Sequence, residues 1–195
     1  MFTVVIGGSA SDKSEYAEQH VVSLPGKRIY LATMMPWDEE CIRRIAKHRE
    51  GRKERGFSTV EQYTRLEDLN LPADGNVLLE DLGNLLSNTW YARGEDETAE
   101  PGRQAETGGA ATRSGRFATE CASGEVLRGI DHLLRSVAHL TLVTNEIGLG
   151  GADYSEQTLL YMEQLGRLNR KLAKRADQVV EVICGLPVIL KENGE

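Results

Sequence analysis

The sequence predicts an α/β fold in one domain spanning residues 1–195: a mostly parallel sheet flanked by helices and closed by an antiparallel C-terminal hairpin. Three observations carry this expectation. A chain of 195 residues suits a single domain with a substantial core. Apolar runs bounded by turn residues alternate with longer stretches of helical spacing, the pattern of a parallel sheet covered on both faces. The last two runs are separated only by Gly185 and Leu186, too few residues for a crossover helix, so they pair as a hairpin.

In order, the strands are FTVVI (2–6), RIYLAT (28–33), NVLLED (76–81), HLTLVTN (139–145), QVVEVICG (178–185) and PVILK (187–191). KSEYAEQHVV (13–22) follows the first strand as an amphipathic helix. Cys41, Ile42 and Ile45 recur at helical spacing in DEECIRRIAKHRE, and Leu159, Leu160, Met162, Leu165, Leu168 and Leu172 mark a later helix. One segment does not fit this scheme. Residues 92–122 contain no Leu, Ile, Val or Met and a single aromatic, Phe117. So little apolar surface does not offset the ordering entropy, and the segment reads as a flexible low-complexity insertion, or as a lid that orders on a ligand.

With 23 basic and 30 acidic residues, the net charge of -7 argues against a nucleic-acid binder, which usually carries a concentrated basic face. No run reaches the ~18 apolar residues of a membrane span, and the N-terminus lacks the basic stretch of a signal peptide. Cys41, Cys121 and Cys184 are odd in number and without ligand spacing, as expected of reduced thiols in a cytoplasmic protein.

The first strand runs into GGSASDKS, Gly7 to Ser14, and then into a helix. A phosphate-binding Walker A loop, G-x-x-x-x-G-K-[ST], needs that context. Backbone N–H groups face phosphate oxygens, the lysine bridges the outer phosphates, and the hydroxyl reaches magnesium. Gly7, Lys13 and Ser14 satisfy the spacing; Asp12 stands where the motif has glycine. A carboxylate about 4 Å from a phosphate charge repels it by ~4 kcal/mol at an effective dielectric of ~20, or about a thousandfold in affinity. From this loop alone, a phosphate site and a helix-capping turn are both open.

The chain then presents IYLAT (29–33), RIAKHREGR (44–52), STVE (58–61), VLLED (77–81), LVTNEIGLG (142–150) and GRLNRKLAKRADQVVEVICGLPVILK (166–191) in one order after the loop. Together these resemble the bifunctional adenosylcobinamide kinase / adenosylcobinamide-phosphate guanylyltransferase family of cobalamin biosynthesis, over the whole chain except 92–122. The resemblance implies a RecA-like P-loop fold, assembly as a homotrimer, GTP or ATP as nucleotide with Mg, and adenosylcobinamide or its phosphate as partner substrate. It implies that His48 becomes guanylylated, imidazole being a competent nucleophile toward phosphorus, with Arg44, Arg49 and Arg52 to neutralise the triphosphate. It also implies nucleotide contacts from Gly7, Gly8, Ser9, Ala10, Ser11, Asp12, Lys13 and Ser14, from Leu31, Ala32 and Thr33, from Arg49, Glu50, Gly51 and Arg52, and from Glu61 and Glu80. Glu80 or Asp81, ending an apolar strand, takes the place of a Walker B acid that holds magnesium with Ser14. Glu146 lies in a segment near the active site and could orient a hydroxyl or a metal-bound water.

Each assignment has a plainer counterpart: a solvated histidine on a basic helix for His48, a sheet surface for Glu80 and Asp81, ordinary turn chemistry for Glu146. The chain also departs from the family pattern. Beyond Asp12, Ala152-Asp153 replaces a Val-Pro pair, Leu159 stands at an arginine, Met162-Glu163 replaces Arg-Asp, and Phe57 replaces a tryptophan. Lost cations near phosphates weaken substrate neutralisation. A second reading is therefore a catalytically impaired relative that keeps the fold as a corrinoid-linked binding or assembly partner; a third is a P-loop kinase of another small alcohol.

Overall fold

The computed structural model describes residues 1–36, 42–43, 52, 54–97, 110–148 and 153–193. Its strands are β1 (Phe2–Gly7), β2 (Lys27–Ala32), β3 (Phe57–Glu61), β4 (Gly75–Glu80), β5 (His139–Asn145), β6 (Gln178–Ile183) and β7 (Leu186–Glu192). They form one sheet in the order β3-β2-β4-β5-β1-β6-β7. Every pairing is parallel except that of β6 with β7. The helices are α1 (Lys13–Ser23), α2 (Leu82–Glu97), α3 (Ala110–Ser136) and α4 (Glu156–Arg175). This is the expected α/β architecture, consistent with a P-loop fold.

Alternation along each central strand builds two cores. Val4, Ile29, Leu31, Val77, Leu79, Leu140 and Leu142 point to the larger core, under α2, α3 and α4. Val5, Tyr30, Leu78 and Val143 point to the smaller one, under α1 with Ala17 and Val21. Each buried Leu or Val contributes roughly 1.5–3 kcal/mol, so the larger core carries most of the hydrophobic stabilisation. The C-terminal ends of β1, β2 and β4 consequently sit on a stiff platform, where open α/β sheets bind ligands.

The hairpin forms, with its turn one residue earlier than expected: Cys184 and Gly185 both have positive φ, 50° and 77°, as a two-residue type I′ turn requires. Ile183 then pairs with Leu186. Strand β3 was not anticipated, because FSTVE is short and mostly polar, as an edge strand can be. Of the 92–122 segment, residues 98–109 lie outside the described residues, and its two ends are helical rather than part of an insertion. Residues 92–97 close α2 and 110–122 open α3, with Ala118, Thr119 and Ala122 buried. The compositional window cuts through a helix whose other half supplies Val126, Ile130 and Leu133 to the core; small residues then let the remainder pack closely. In α4 the buried stripe is Leu160, Gln164, Leu165, Leu168 and Leu172; Leu159 is 50% exposed.

Candidate active site

The loop between β1 and α1 is built by close approaches. A Cβ on Gly7 would lie 2.5 Å from Ser11 Oγ and 2.7 Å from the Val182 carbonyl oxygen, so a glycine is required there. Ala10 and Asp12 adopt left-handed backbone, with φ 54° and 65°, a region that L-residues avoid and Asp tolerates better than most. Asp12 precedes α1, yet its side chain makes no capping hydrogen bond, so the plain capping turn is not what forms. Its carboxylate is exposed and turns toward the β6–β7 hairpin: a Cβ on Gly185 would sit 3.4 Å from Oδ2. The Gly185 amide donates to the Ser11 carbonyl at 3.1 Å, tying loop to hairpin. Lys13 Nζ donates to the Gly8 carbonyl at 3.1 Å. In exposed surroundings the dielectric rises toward that of water, and the repulsion anticipated for Asp12 falls toward ~1 kcal/mol.

Two strands away, β4 ends in the acid pair. Ser14 Oγ donates to Glu80 Oε1, joining the loop hydroxyl to the strand-end carboxyl, while Glu80 Oε2 is buried without a partner. Burial pushes the Glu80 carboxyl up to about 7; the charges of Asp81 and Glu18 add to this, and the Ser14 bond and Lys13 oppose it. Asp81 accepts from the Asn84 amide at 2.7 Å and from Asn145 Nδ2 at 3.2 Å. Its carboxyl is raised by burial, against those hydrogen bonds. Thr33 holds the pair's backbone, its N–H donating to the Glu80 carbonyl at 3.0 Å and its hydroxyl to the Asp81 carbonyl at 2.8 Å.

Loop and acid pair share a cavity of about 600 Å³. Of the anticipated residues it is lined by Ser9, Ala10, Ser11, Asp12, Lys13, Ser14, Ala32, Arg52, Glu61, Glu80 and Asp81. Gly7 and Gly8 are not among the lining residues, and Thr33 acts from behind them. Leu31 is fully buried in the larger core, because it alternates with Tyr30 and Ala32, which face the cavity. Glu146 also departs from its anticipated place. Its side chain is exposed and off the cavity, its amide donating to the Gly7 carbonyl at 3.1 Å, and the neighbouring Asn145 lines the site instead. His48, Arg44, Arg49, Glu50 and Gly51 lie outside the described residues.

Sequence reasoning missed Glu15, Glu18, Tyr30, Met34, Asn84 and Asn145 in the lining. Two had a signal: Tyr30 shares the face of Ala32 by strand alternation, and Glu18 lies one helical turn after Ser14. The Arg52 guanidinium stacks 3.5 Å from the Tyr30 ring centroid, a cation–π contact that fixes both. Arg55 pairs with Glu18 at 2.7 Å and Glu15 at 2.9 Å. Among the described residues, the lining acids Asp12, Glu15, Glu18, Glu61, Glu80 and Asp81 outnumber the cations Lys13 and Arg52 in the lining and Arg55 behind Glu15 and Glu18, so a polyphosphate entering here is favoured by a neutralising cation. Of the departures after residue 150, those among the described residues lie off this cavity. Asp153, Leu159 and Glu163 are exposed, Met162 packs against Gly148, and none of them is in the lining; Ala152 lies outside the described residues.

Comparison with known proteins places this geometry in context. The family model described as cobinamide kinase / cobinamide phosphate guanyltransferase matches residues 3–190. The bifunctional adenosylcobalamin biosynthesis protein CobU of Salmonella typhimurium is 31% identical over 195 residues, covering 98% of this chain and all of the relative. Its namesake in Escherichia coli is 30% identical over the same shares. The bifunctional adenosylcobalamin biosynthesis protein CobP of Pseudomonas aeruginosa is 28% identical, with 98% of each chain covered.

Proposed function

The chain belongs to the cobinamide kinase / cobinamide phosphate guanyltransferase family, and on that premise we propose that it phosphorylates the aminopropanol hydroxyl of adenosylcobinamide and then transfers GMP from GTP to that phosphate through a guanylylated His48. The observation that carries the reading is the direct bond between Ser14 and Glu80 across the mouth of the phosphate loop, with Lys13 beside it in one cavity. A Walker A hydroxyl and a strand-end acid meet in this way where a nucleotide and its metal are to be held.

Magnesium fits these residues. Glu80 Oε2 is a buried oxygen without a partner, and a hard cation takes oxygen ligands. Among the described residues no three His, Cys, Asp or Glu side chains cluster to hold a metal by themselves, so Ser14 and Glu80 would share it with phosphate oxygens and water. When bound, it neutralises outer-phosphate charge that the acidic lining otherwise repels. The loop amides and Lys13 position the triphosphate. The acceptor oxygen bonds to the γ-phosphorus as the bridging P–O bond breaks, GDP leaving with the electron pair and the hydroxyl proton being released. In the second reaction His48 bonds to the α-phosphorus with loss of pyrophosphate, and the corrinoid phosphate then takes the GMP from it.

We place the protein in the cytoplasm, where its nucleotides are; among the described residues no helix is long and apolar enough to cross a membrane. Assembly as a homotrimer is supported by β7, an edge strand whose Leu186, Val188, Ile189 and Leu190 are 43–70% exposed, apolar surface that an isolated edge leaves open to pairing. Sedimentation that returns the monomer mass removes that part. The catalytic reading is tested by incubation with α-labelled GTP and magnesium, denaturation, and assay of acid-labile label on the protein. Label is expected on the wild type and absent from His48→Ala; an unlabelled wild type ends the guanylyltransferase reading.

A further inference from the structure

We infer that Asp81 accepts a hydrogen bond from the acceptor alcohol and orients its oxygen toward the phosphate loop, an inference that rests on the kinase reading above. Two adjacent acids end β4, and the structure divides them. Glu80 is bonded to Ser14 and so belongs to the phosphate loop. Asp81 is held from the other side, by the Asn84 amide of α2 and by the side chain of Asn145 at the end of β5. These two donors leave about two of the roughly four acceptor positions a carboxylate offers, and Asp81 lines the cavity beside Lys13, Ser14 and Asn145.

The surroundings make this carboxylate rigid. Asn145 lies at a strand end braced by Asn169, whose Nδ2 donates to the Asn145 carbonyl at 3.2 Å and whose Oδ1 accepts from the Thr144 hydroxyl at 2.7 Å. Tyr161 packs over Gly83 beside it. A Cβ at Gly83 would lie 2.8 Å from Tyr161 Oη and 3.2 Å from Asp81 Oδ1, so the back of the carboxylate is closed and its open side is the cavity. In the sheet β5 separates β4 from β1. A hydroxyl resting on Asp81 therefore approaches phosphates held by the β1 loop from the β5 side. Holding a nucleophile in this way is worth about a hundredfold in rate when misplacement is the alternative.

Capping α2 is the plainer role, since the Asn84 bond alone accomplishes it. Capping does not call for Asn145 or for a place in the cavity, and the two roles separate by substitution. Asn caps helices as well as Asp does, but Asp81→Asn exchanges the charged acceptor for a neutral amide. The kinase step is followed with adenosylcobinamide, GTP and magnesium, alongside a urea midpoint. The expected result for Asp81→Asn is an unchanged midpoint, kcat reduced about 100-fold, and a nucleotide KM within about threefold of wild type. If kcat stays within a factor of three, Asp81 is a helix cap and the inference is overturned. If nucleotide KM rises along with the fall in kcat, Asp81 holds phosphate or metal and the inference is again overturned. A wild type that never phosphorylates adenosylcobinamide removes the kinase reading and this inference together, whereas an active wild type with an active variant removes only the inference. Should Asp81→Asn fail to fold, Asp81→Ser, another good cap, carries the same test.

Discussion

The β1–α1 loop and the acid pair face each other across one cavity but are made differently. The loop is backbone: Gly7 fits where no Cβ does, Ala10 and Asp12 take left-handed conformations, and its hydrogen bonds run through main-chain groups such as Ser11 O to Gly185 N. The acid pair is side chain. Glu80 and Asp81 have their states set by Ser14 on α1, Asn84 on α2 and Asn145 on β5. Backbone-built sites tolerate side-chain exchange as long as the conformation survives, whereas side-chain-built sites couple function to folding energy through burial.

The largest separation between the two regions is expected at Lys13. Its ammonium is bonded to Gly8 O on the loop, a contact worth under about 1.5 kcal/mol of stability. In the proposed reaction its part is to stabilise charge developing on the transferred phosphoryl group, where loss of one donor costs about 100- to 1,000-fold. Lys13→Ala should thus lose most turnover with little change in denaturant midpoint. A large drop in midpoint would show that the loop depends on this side chain after all.

Glu80 should behave in the opposite way. Its folded carboxyl is raised from 4.5 to about 7 by burial, so the metal-free protein keeps this proton well above the pH at which the unfolded chain loses it. Below pH ~4.5 folded and unfolded chains are both protonated and no penalty exists; as pH rises through 7 the folded carboxyl must ionise in place, and stability is lost. Glu80→Gln keeps an acceptor for Ser14 and removes that charge. It should stabilise the metal-free protein at pH 8 by about 1–3 kcal/mol, converge with wild type near pH 4, and lose magnesium-dependent turnover. Unfolding midpoints at the two pH values decide it; an equal difference at both would rule out ionisation as the cause.

How much of this was legible in the sequence follows the same division. The loop could be read from eight consecutive residues, because strand, glycine, lysine and serine are adjacent in the chain. The sheet could be read from runs of aliphatic residues, except for β3, a short segment too polar to stand out from a loop. Asn145, Asn84 and Tyr30 could not be read as lining, because their place depends on which strands become neighbours, and β5 joins β4 to β1 only in the folded sheet. In the segment that follows β5, the sequence points to Glu146 as the group able to orient a hydroxyl. Strand direction decided otherwise, putting the Asn145 side chain on Asp81 and the Glu146 side chain in solvent. The α3 start was hidden for a related reason: Ala118 and Ala122 are too small to signal burial by composition.

Asp12 gives the smallest expected effect and the sharpest comparison of the two ways of reading the loop. By sequence alone, a carboxylate at the glycine position repels phosphate by ~4 kcal/mol, and Asp12→Gly should then improve GTP affinity about a thousandfold. In the structure the carboxylate is exposed and turned to the hairpin at Gly185, while the backbone already holds the left-handed angle that glycine would supply. Restoring glycine removes the cost of about 1–2 kcal/mol that a left-handed L-residue carries, less for Asp, and adds about 0.5–1 kcal/mol of unfolded-chain entropy. The two nearly cancel, so stability should move by less than about 1 kcal/mol and GTP affinity, by titration calorimetry, by less than about fivefold. A gain of two or more orders of magnitude would mean that Asp12 swings from the hairpin onto the phosphates, and the loop would then be controlled by a side chain, as the acid pair is.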